Sequence, residues 1–262
     1  MKRTLMTIIM VFALVPVFAC LILFITDGRN ILVANHEDWY GRDAEISFVP
    51  AEGKSYGMLY FDFASEKTAQ GGMNTEGLFF DGTRTPYAPY SANNSKPECH
   101  CYIWKKILAE CSTVDQALAF IRKYKVPEIE DIHILLADKS GNSIVVGIYN
   151  DSLQVHRRSK NYQLLTNFNL NNPSYGDEPP CERFARADSM LALDAAATVS
   201  NLEKILSKTH QGALTVYSNI CNLTTGETYI YQKANFKKKV KINLADELKK
   251  GKHTVRISAL FR

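Results

Sequence analysis

The sequence predicts an α+β chain in which antiparallel sheets are covered by helices. Three observations carry this. The elements run in the order strands, helices, strands, helices, strands, which suits sheets with helices packed over their faces. Consecutive strands are joined by tight Gly, Asn and Asp turns of the kind that close antiparallel hairpins. The composition, 262 residues with 46% apolar, 22% charged, 14 Gly and 9 Pro, is that of an ordinary globular chain. Collagen-like, low-complexity and wholly disordered chains are thereby excluded.

Charge narrows the function classes. The 31 Lys and Arg face 27 Asp and Glu, and without Lys2 and Arg3 the count is 29 against 27. That balance argues against a nucleic-acid partner. No Walker loop and no GxGxxG after a strand supports nucleotide chemistry.

The N-terminus has three readings. Lys2 and Arg3 precede an apolar run over 5–18, and Val17-Phe18-Ala19 leads into Cys20. A positive start, a short apolar core and a small-residue exit describe a secretory signal over 1–19, to be removed by a signal peptidase. The run continues to Ile25, long enough for a retained membrane anchor of ~20 residues. A lipid attached to Cys20 is the third reading, against which bulky Phe18 counts. The residues after Cys20 favour the first. Residues 21–25 are strand-like, 26–30 form a turn cluster, and 31–34 are apolar again. A hairpin cannot start inside a membrane helix, so the apolar run divides at Ala19-Cys20. The expectation is an exported protein, periplasmic or secreted, with one domain over 20–262; self-association stays open.

Further along, 46–49, 56–63 and 78–81 read as strands from their aromatic and aliphatic content. Residues 86–97, with three Pro and paired Asn, form a loop of about lid length. Amphipathic helices are expected over 102–111 and 114–124, the second capped by Thr113 with Asp115 in its first turn. Strands return at 132–137, 143–149 and 162–167, the first two joined by a turn over 139–142. A second Asn- and Pro-rich loop spans 169–180, before helices over 182–193 and 201–208. The last hairpin is 214–221 with 227–232, and the stretch 233–252 holds eight Lys and reads as a solvated face.

A cysteine at a chain end carries nucleophile and base together. The α-amine, with an ordinary pKa of ~7.7–8.0, can take the thiol proton near neutrality. The thiolate can then attack an amide carbonyl, form an acyl-enzyme and be released by water, with no cofactor. Cys20 is the candidate nucleophile for this chemistry.

Several segments then resemble one family. Cys20, the hairpin and Asn35-His36-Glu37-Asp38-Trp39 resemble the opening of the N-terminal nucleophile (Ntn) hydrolases, most of all the choloylglycine hydrolase, or linear amide C–N hydrolase, family. That family includes bile salt hydrolases and penicillin V acylases. Gly72-Met73-Asn74-Thr75-Glu76-Gly77-Leu78, Leu165-Thr166-Asn167, Glu182-Arg183-Phe184 and the closing hairpin around Tyr217 and Thr225 resemble its later segments, in family order. The resemblance implies a four-layer αββα sandwich and hydrolysis of an N-acyl amide. It implies roles for Asp38 in orienting the nucleophile, Asn167 in an oxyanion hole and Arg183 in supporting the thiol, with Asn74 and a backbone N–H near Thr83 and Arg84 close by. One departure matters: bile salt hydrolases usually place an arginine three residues before the aspartate, and here that residue is Asn35. The bile-salt substrate is therefore not carried over.

Other chemistry is weaker. Gly53-Lys54-Ser55-Tyr56-Gly57 fits the serine-hydrolase pattern, but that elbow must join a strand to a helix, and a strand pattern comes after Ser55. Cys99-His100-Cys101 lacks a standard zinc spacing, so no metal is expected. Cys99, Cys101, Cys111, Cys181 and Cys221 are candidates for disulfides outside the cytosol. His36 reads as a polar residue on the rim of the site. A non-enzymatic alternative is an exported binding protein or lipoprotein that keeps the fold without the chemistry.

Overall fold

The described part of the chain starts with strands because β-branched and aromatic side chains flank a tight turn. The computed structural model describes residues 20–66, 68–175 and 179–262, so the leader expected over 1–19 lies outside the described residues. β1 (Leu21–Thr26) and β2 (Ile31–Asp38) form the first hairpin. Its turn is closed by Asp27, whose Oδ1 accepts from the backbone N–H groups of Arg29 at 2.8 Å and Asn30 at 2.7 Å. Gly28 takes a φ of 87° there, which a side chain would resist.

A meander comes next: β3 (Ala44–Val49), β4 (Met58–Phe63), β5 (Gly71–Asn74) and β6 (Phe79–Arg84). Then come α1 (Ile103–Glu110), α2 (Val114–Lys123), β7 (Ile132–Ala137), β8 (Ser143–Tyr149), β9 (Ser152–Arg157) and β10 (Tyr162–Leu165). The chain continues through α3 (Glu182–Leu193), α4 (Val199–Thr209), β11 (Thr215–Asn222) and β12 (Glu227–Gln232). It ends in β13 (Val240–Asn243), α5 (Leu244–Leu248) and β14 (His253–Arg256).

The strands make two antiparallel sheets. One runs β10-β1-β2-β11-β12-β13, the other β14-β3-β4-β5-β6-β7-β8-β9. The period of two along each strand decides what lies between them. On β1, Ile22 and Phe24 enter the core between the sheets with Phe61, Phe79 and Leu135. Leu21, Leu23 and Ile25 face the other way, against Leu191 of α3 and Leu202 and Ile205 of α4. On the far side, Trp104, Ile107, Leu118 and Ile121 of α1 and α2 cover Phe80, Ile134, Leu136 and Val146. The result is the expected αββα order of layers. All of Leu21–Ile25 is fully buried, at about 2 kcal/mol of burial free energy per side chain.

Most expected elements are present, with shifted ends. The strand expected from residue 56 starts at Met58, and the one expected to reach 167 stops at Leu165. The helix expected from 201 starts at Val199, because Thr198 caps it by accepting from the Asn201 N–H. Thr113 caps α2 in the same way through the Gln116 N–H.

Four strands fall where none was expected. β5 reads as a Gly-rich turn but is a strand whose glycines admit close neighbours: a Cβ at Gly71 would meet Asp81 Oδ2, and one at Gly72 would stand 2.5 Å from the Leu59 carbonyl. β9 and β14 are polar outer strands with weak alternation. β13 and α5 interrupt the stretch expected as a solvated face: Val240, Ile242 and Leu244 turn inward, while Lys239, Lys241, Lys249 and Lys250 pair with Glu203, Glu227, Asp246 and Glu247. Cys99 and Cys101 are joined in a disulfide, and Cys20, Cys111, Cys181 and Cys221 are free thiols. Among the described residues no helix is long and apolar enough to cross a membrane.

Candidate active site

Hairpin register places Cys20. Thr26 faces Ile31 and Leu21 faces His36, so one step further sets Cys20 opposite Glu37. Residues opposite each other in an antiparallel pair share a face, so the two side chains lie together on the face between the sheets. The Cys20 thiol donates to Glu37 Oε1 at 3.4 Å. Cys20 is 8% exposed and borders a cavity of about 370 Å³, within the usual range for small-molecule sites. Glu37, Asp38, Trp39, Arg42, Gly82, Arg84, Trp104 and Asn167 are among its other lining residues.

Alternation along β2 sorts its polar residues. Asn35 and Glu37 point into the inter-sheet core, where Asn35 donates to an Asp81 carboxylate oxygen on β6. Asp38 points to the helical side. There it accepts from Gln211 Nε2 at 2.8 Å and from the Thr215 hydroxyl, and lies 3.6 Å from the Arg183 guanidinium. Arg183, at the start of α3, also donates to the Cys20 backbone carbonyl at 3.2 Å and to Asn167 Oδ1 at 3.3 Å. Asn167 lies just past β10 and donates from Nδ2 to the Arg84 carbonyl at 2.8 Å, which leaves its second amide hydrogen for another acceptor. Beside it the Thr83 hydroxyl donates to the Thr166 carbonyl at 3.0 Å, joining one sheet to the other.

Cys20, Asp38, Asn167 and Arg183 are thus brought together from four parts of the chain. Arg84 lines the cavity and pairs with Asp131 at 2.8 Å. Asn35 is buried beneath the site rather than in it. Asn74 is not a cavity residue: its Nδ2 donates to the carbonyls of Leu108 and Cys111, both at 2.7 Å, and its Oδ1 accepts from the N–H groups of Glu76 and Leu78. It ties the end of β5 to the end of α1.

His36 is not on a rim; it is fully buried, facing α4 and β11, with Ser218 at 2.7 Å, the Leu206 carbonyl at 3.0 Å and Thr209 at 3.2 Å. The opposite face of β2 is covered by a helix, not by water. Ser55 lies in a turn, its hydroxyl held by the Glu52 carbonyl at 2.8 Å, and β4 comes after it, so no strand-to-helix elbow exists.

The electrostatics follow from burial. Burial, then the charges of Glu37 and Asp38, push the Cys20 thiol well above its ordinary value. Burial likewise carries the Glu37 carboxyl up to about 7. Burial and the neighbouring Glu37 raise Asp81. Asp38 is raised by burial, against which Gln211, Thr215 and Arg183 act. A free-standing thiolate at Cys20 is therefore disfavoured. Glu37, Asp81, Gln211 and Thr215 were not singled out from sequence; for Glu37 the signal was the hairpin count that sets it against Cys20.

The chain is similar to known amide hydrolases in sequence and in fold. The model of the linear amide C–N hydrolases, choloylglycine hydrolase family, matches residues 26–187, more than half of the chain. The matched stretch begins after Cys20. Among solved structures, a variant of conjugated bile acid hydrolase from Clostridium perfringens superposes with a TM-score of 0.68 at 18% identity, covering 90% of this chain and 96% of that one. Penicillin V acylase from Agrobacterium tumefaciens gives 0.63 at 17% identity, covering 81% and 82%. The Caenorhabditis elegans orthologue of N-acylethanolamine-hydrolyzing acid amidase gives 0.57 at 14% identity, covering 78% and 92%. Among curated protein sequences none matches.

Proposed function

The chain belongs to the linear amide C–N hydrolases of the choloylglycine hydrolase family, and on that premise we propose that Cys20, exposed as the first residue of a mature chain, is its nucleophile. The protein is a hydrolase of carbon–nitrogen bonds in linear amides other than peptides. In the proposed reaction the Cys20 thiol gives up its proton as the sulfur attacks the carbonyl carbon of an N-acyl amide. The α-amine of Cys20 accepts that proton and passes it to the departing nitrogen. Water then attacks the thioester, releasing the acid and restoring the thiol. Asn167 and a backbone N–H near Thr83 and Arg84 receive the oxyanion. Asp38 and Arg183 hold the chain end in place.

The observation that carries this reading is the convergence on Cys20. One guanidinium, that of Arg183, links the Cys20 carbonyl, Asn167 and Asp38 at the wall of the cavity. Export and removal of residues 1–19 by a signal peptidase belong to the same proposal, because a leader or a lipid on Cys20 would remove the base.

Two measurements test it. The mass of the N-terminus in exported material should correspond to a chain starting at an unmodified Cys20. A panel of N-acyl amides (bile-acid conjugates, aromatic-acyl penicillins, acyl-homoserine lactones, N-acyl amino acids and N-acylethanolamines) should reveal turnover that Cys20→Ser lowers by at least about a hundredfold. An acylated terminus with no turnover would favour a binding protein, and near-wild-type rates in Cys20→Ser would refute the nucleophile.

A further inference from the structure

We propose that Glu37 is a second catalytic residue of this site, the carboxylate that takes the proton of the Cys20 thiol from inside the sheet sandwich. The proposal rests on the reading of Cys20 as nucleophile and adds a proton acceptor other than the α-amine. Geometry supplies the contact: the sulfur and Glu37 Oε1 are cross-strand partners 3.4 Å apart. Glu37 itself is 3% exposed and borders the same cavity as Cys20.

The surroundings say what the carboxylate can do. Asn35 and Tyr217 stand beside Glu37, and Asp38 and Asp81 press on it with like charge. Asp62 adds acidic charge behind Tyr217. Arg183 is directed to Asp38 and to the Cys20 carbonyl on the helical side of β2, and His210 acts there too, on Asp38. The second oxygen of Glu37, Oε2, is buried without a hydrogen-bond partner among the described residues. A buried carboxylate with an open oxygen and the thiol as its cross-strand partner is placed to take up that proton as the sulfur attacks. A glutamine would fill the same space and could not do so.

The step balances without any other reactant. The Sγ–H bond breaks, an Oε1–H bond forms, the electron pair stays on sulfur, and nothing is oxidised or reduced. That proton then passes by way of the α-amine to the departing nitrogen, and the water that hydrolyses the thioester restores the Sγ–H bond. In this scheme sulfur activation follows the ionisation of Glu37, which lies at about 7, while loss of a second proton from the pair lies much higher.

Alkylation of Cys20 by iodoacetamide, read by mass spectrometry of the Cys20 peptide across pH, tests this without any amide substrate. Wild type should show a rate that rises to about pH 7 and then stays within about twofold from pH 7.5 to 9, as expected where one proton is shared. Glu37→Gln should lose that plateau and climb at least about tenfold over the same interval. Profiles of the same shape in both proteins, or a Glu37→Gln profile merely displaced to lower pH, would overturn the proposal and leave Glu37 a neighbouring charge. If Glu37→Gln does not fold, the wild-type profile decides alone: a plateau from about pH 7 supports sharing, and a climb of more than about fivefold between pH 7.5 and 9 refutes it. A chain that hydrolyses nothing in the amide panel would sink the hydrolase reading and leave this test standing.

Discussion

The guanidinium of Arg183 donates to the backbone carbonyl of Cys20 at 3.2 Å, so a helix on one layer fixes the chain at the head of a strand in the next. The same group reaches Asn167 Oδ1 at 3.3 Å and Asp38 Oδ2 at 3.6 Å. Two nitrogens of the planar fork carry these contacts, Nη1 those to Cys20 and Asp38 and Nη2 that to Asn167, where a lysine has a single nitrogen. Arg183→Lys keeps the charge and loses the fork. We expect turnover to fall by about 10- to 100-fold with the melting temperature almost unchanged, measured by steady-state kinetics beside thermal unfolding. Retention of full activity in the lysine variant would show that charge alone suffices.

Asn167 holds its amide between Arg84 and Arg183, with one N–H unspent. If that hydrogen meets the oxyanion, Asn167→Ala should lower kcat by about 10²- to 10³-fold while KM shifts little, since the bond forms only in the transition state. A change confined to KM would place Asn167 in ground-state binding instead.

Asn74 makes four hydrogen bonds in a buried position and does not line the cavity. Asn74→Ala should therefore cost about 3 kcal/mol of stability in urea unfolding, with activity per folded molecule preserved. Loss of kcat at unchanged stability would return Asn74 to the reaction.

Stability should respond to pH in two opposed ways. Glu37 titrates at about 7 in the fold against an ordinary 4.5, because of burial; the native state holds its proton longer, and stability is lost as pH rises through that window. Asp81 and Asp38 act in the same direction. Burial lowers His36 to about 3 and His133 to about 4 from 6.5, so stability is lost as pH falls below 6.5. Above 6.5 only the acids contribute. The melting temperature should decline from about pH 6.5 towards pH 8, and Glu37→Gln should flatten that decline. A melting temperature that climbs steadily from pH 5 to 8 would contradict the assignment.

The first hairpin was legible because its turn chemistry is local: Asp27, Gly28 and Asn30 act within four residues. Asp38 was marked by the family resemblance, at the end of β2, whose partner β1 begins one residue after Cys20. His36 could not be placed correctly, since alternation reveals that it faces away from Glu37 but not that α4, some 170 residues later, covers that face. Asp81 was invisible for a related reason: its place depends on Gly71, its partner on the neighbouring strand, whose missing side chain makes room for the carboxylate. β9 and β14 border the second sheet, where half-wet positions blunt the apolar signal.

β10 is only four residues long, forms one border of its sheet, covers β1 and leads directly to Asn167. If this short border frays, the backbone of the most apolar strand is uncovered and the amide proposed for the oxyanion hole departs in the same event. Inactivation and self-association through exposed strand edges should thus share one trigger, local opening, and have a common onset well below global melting.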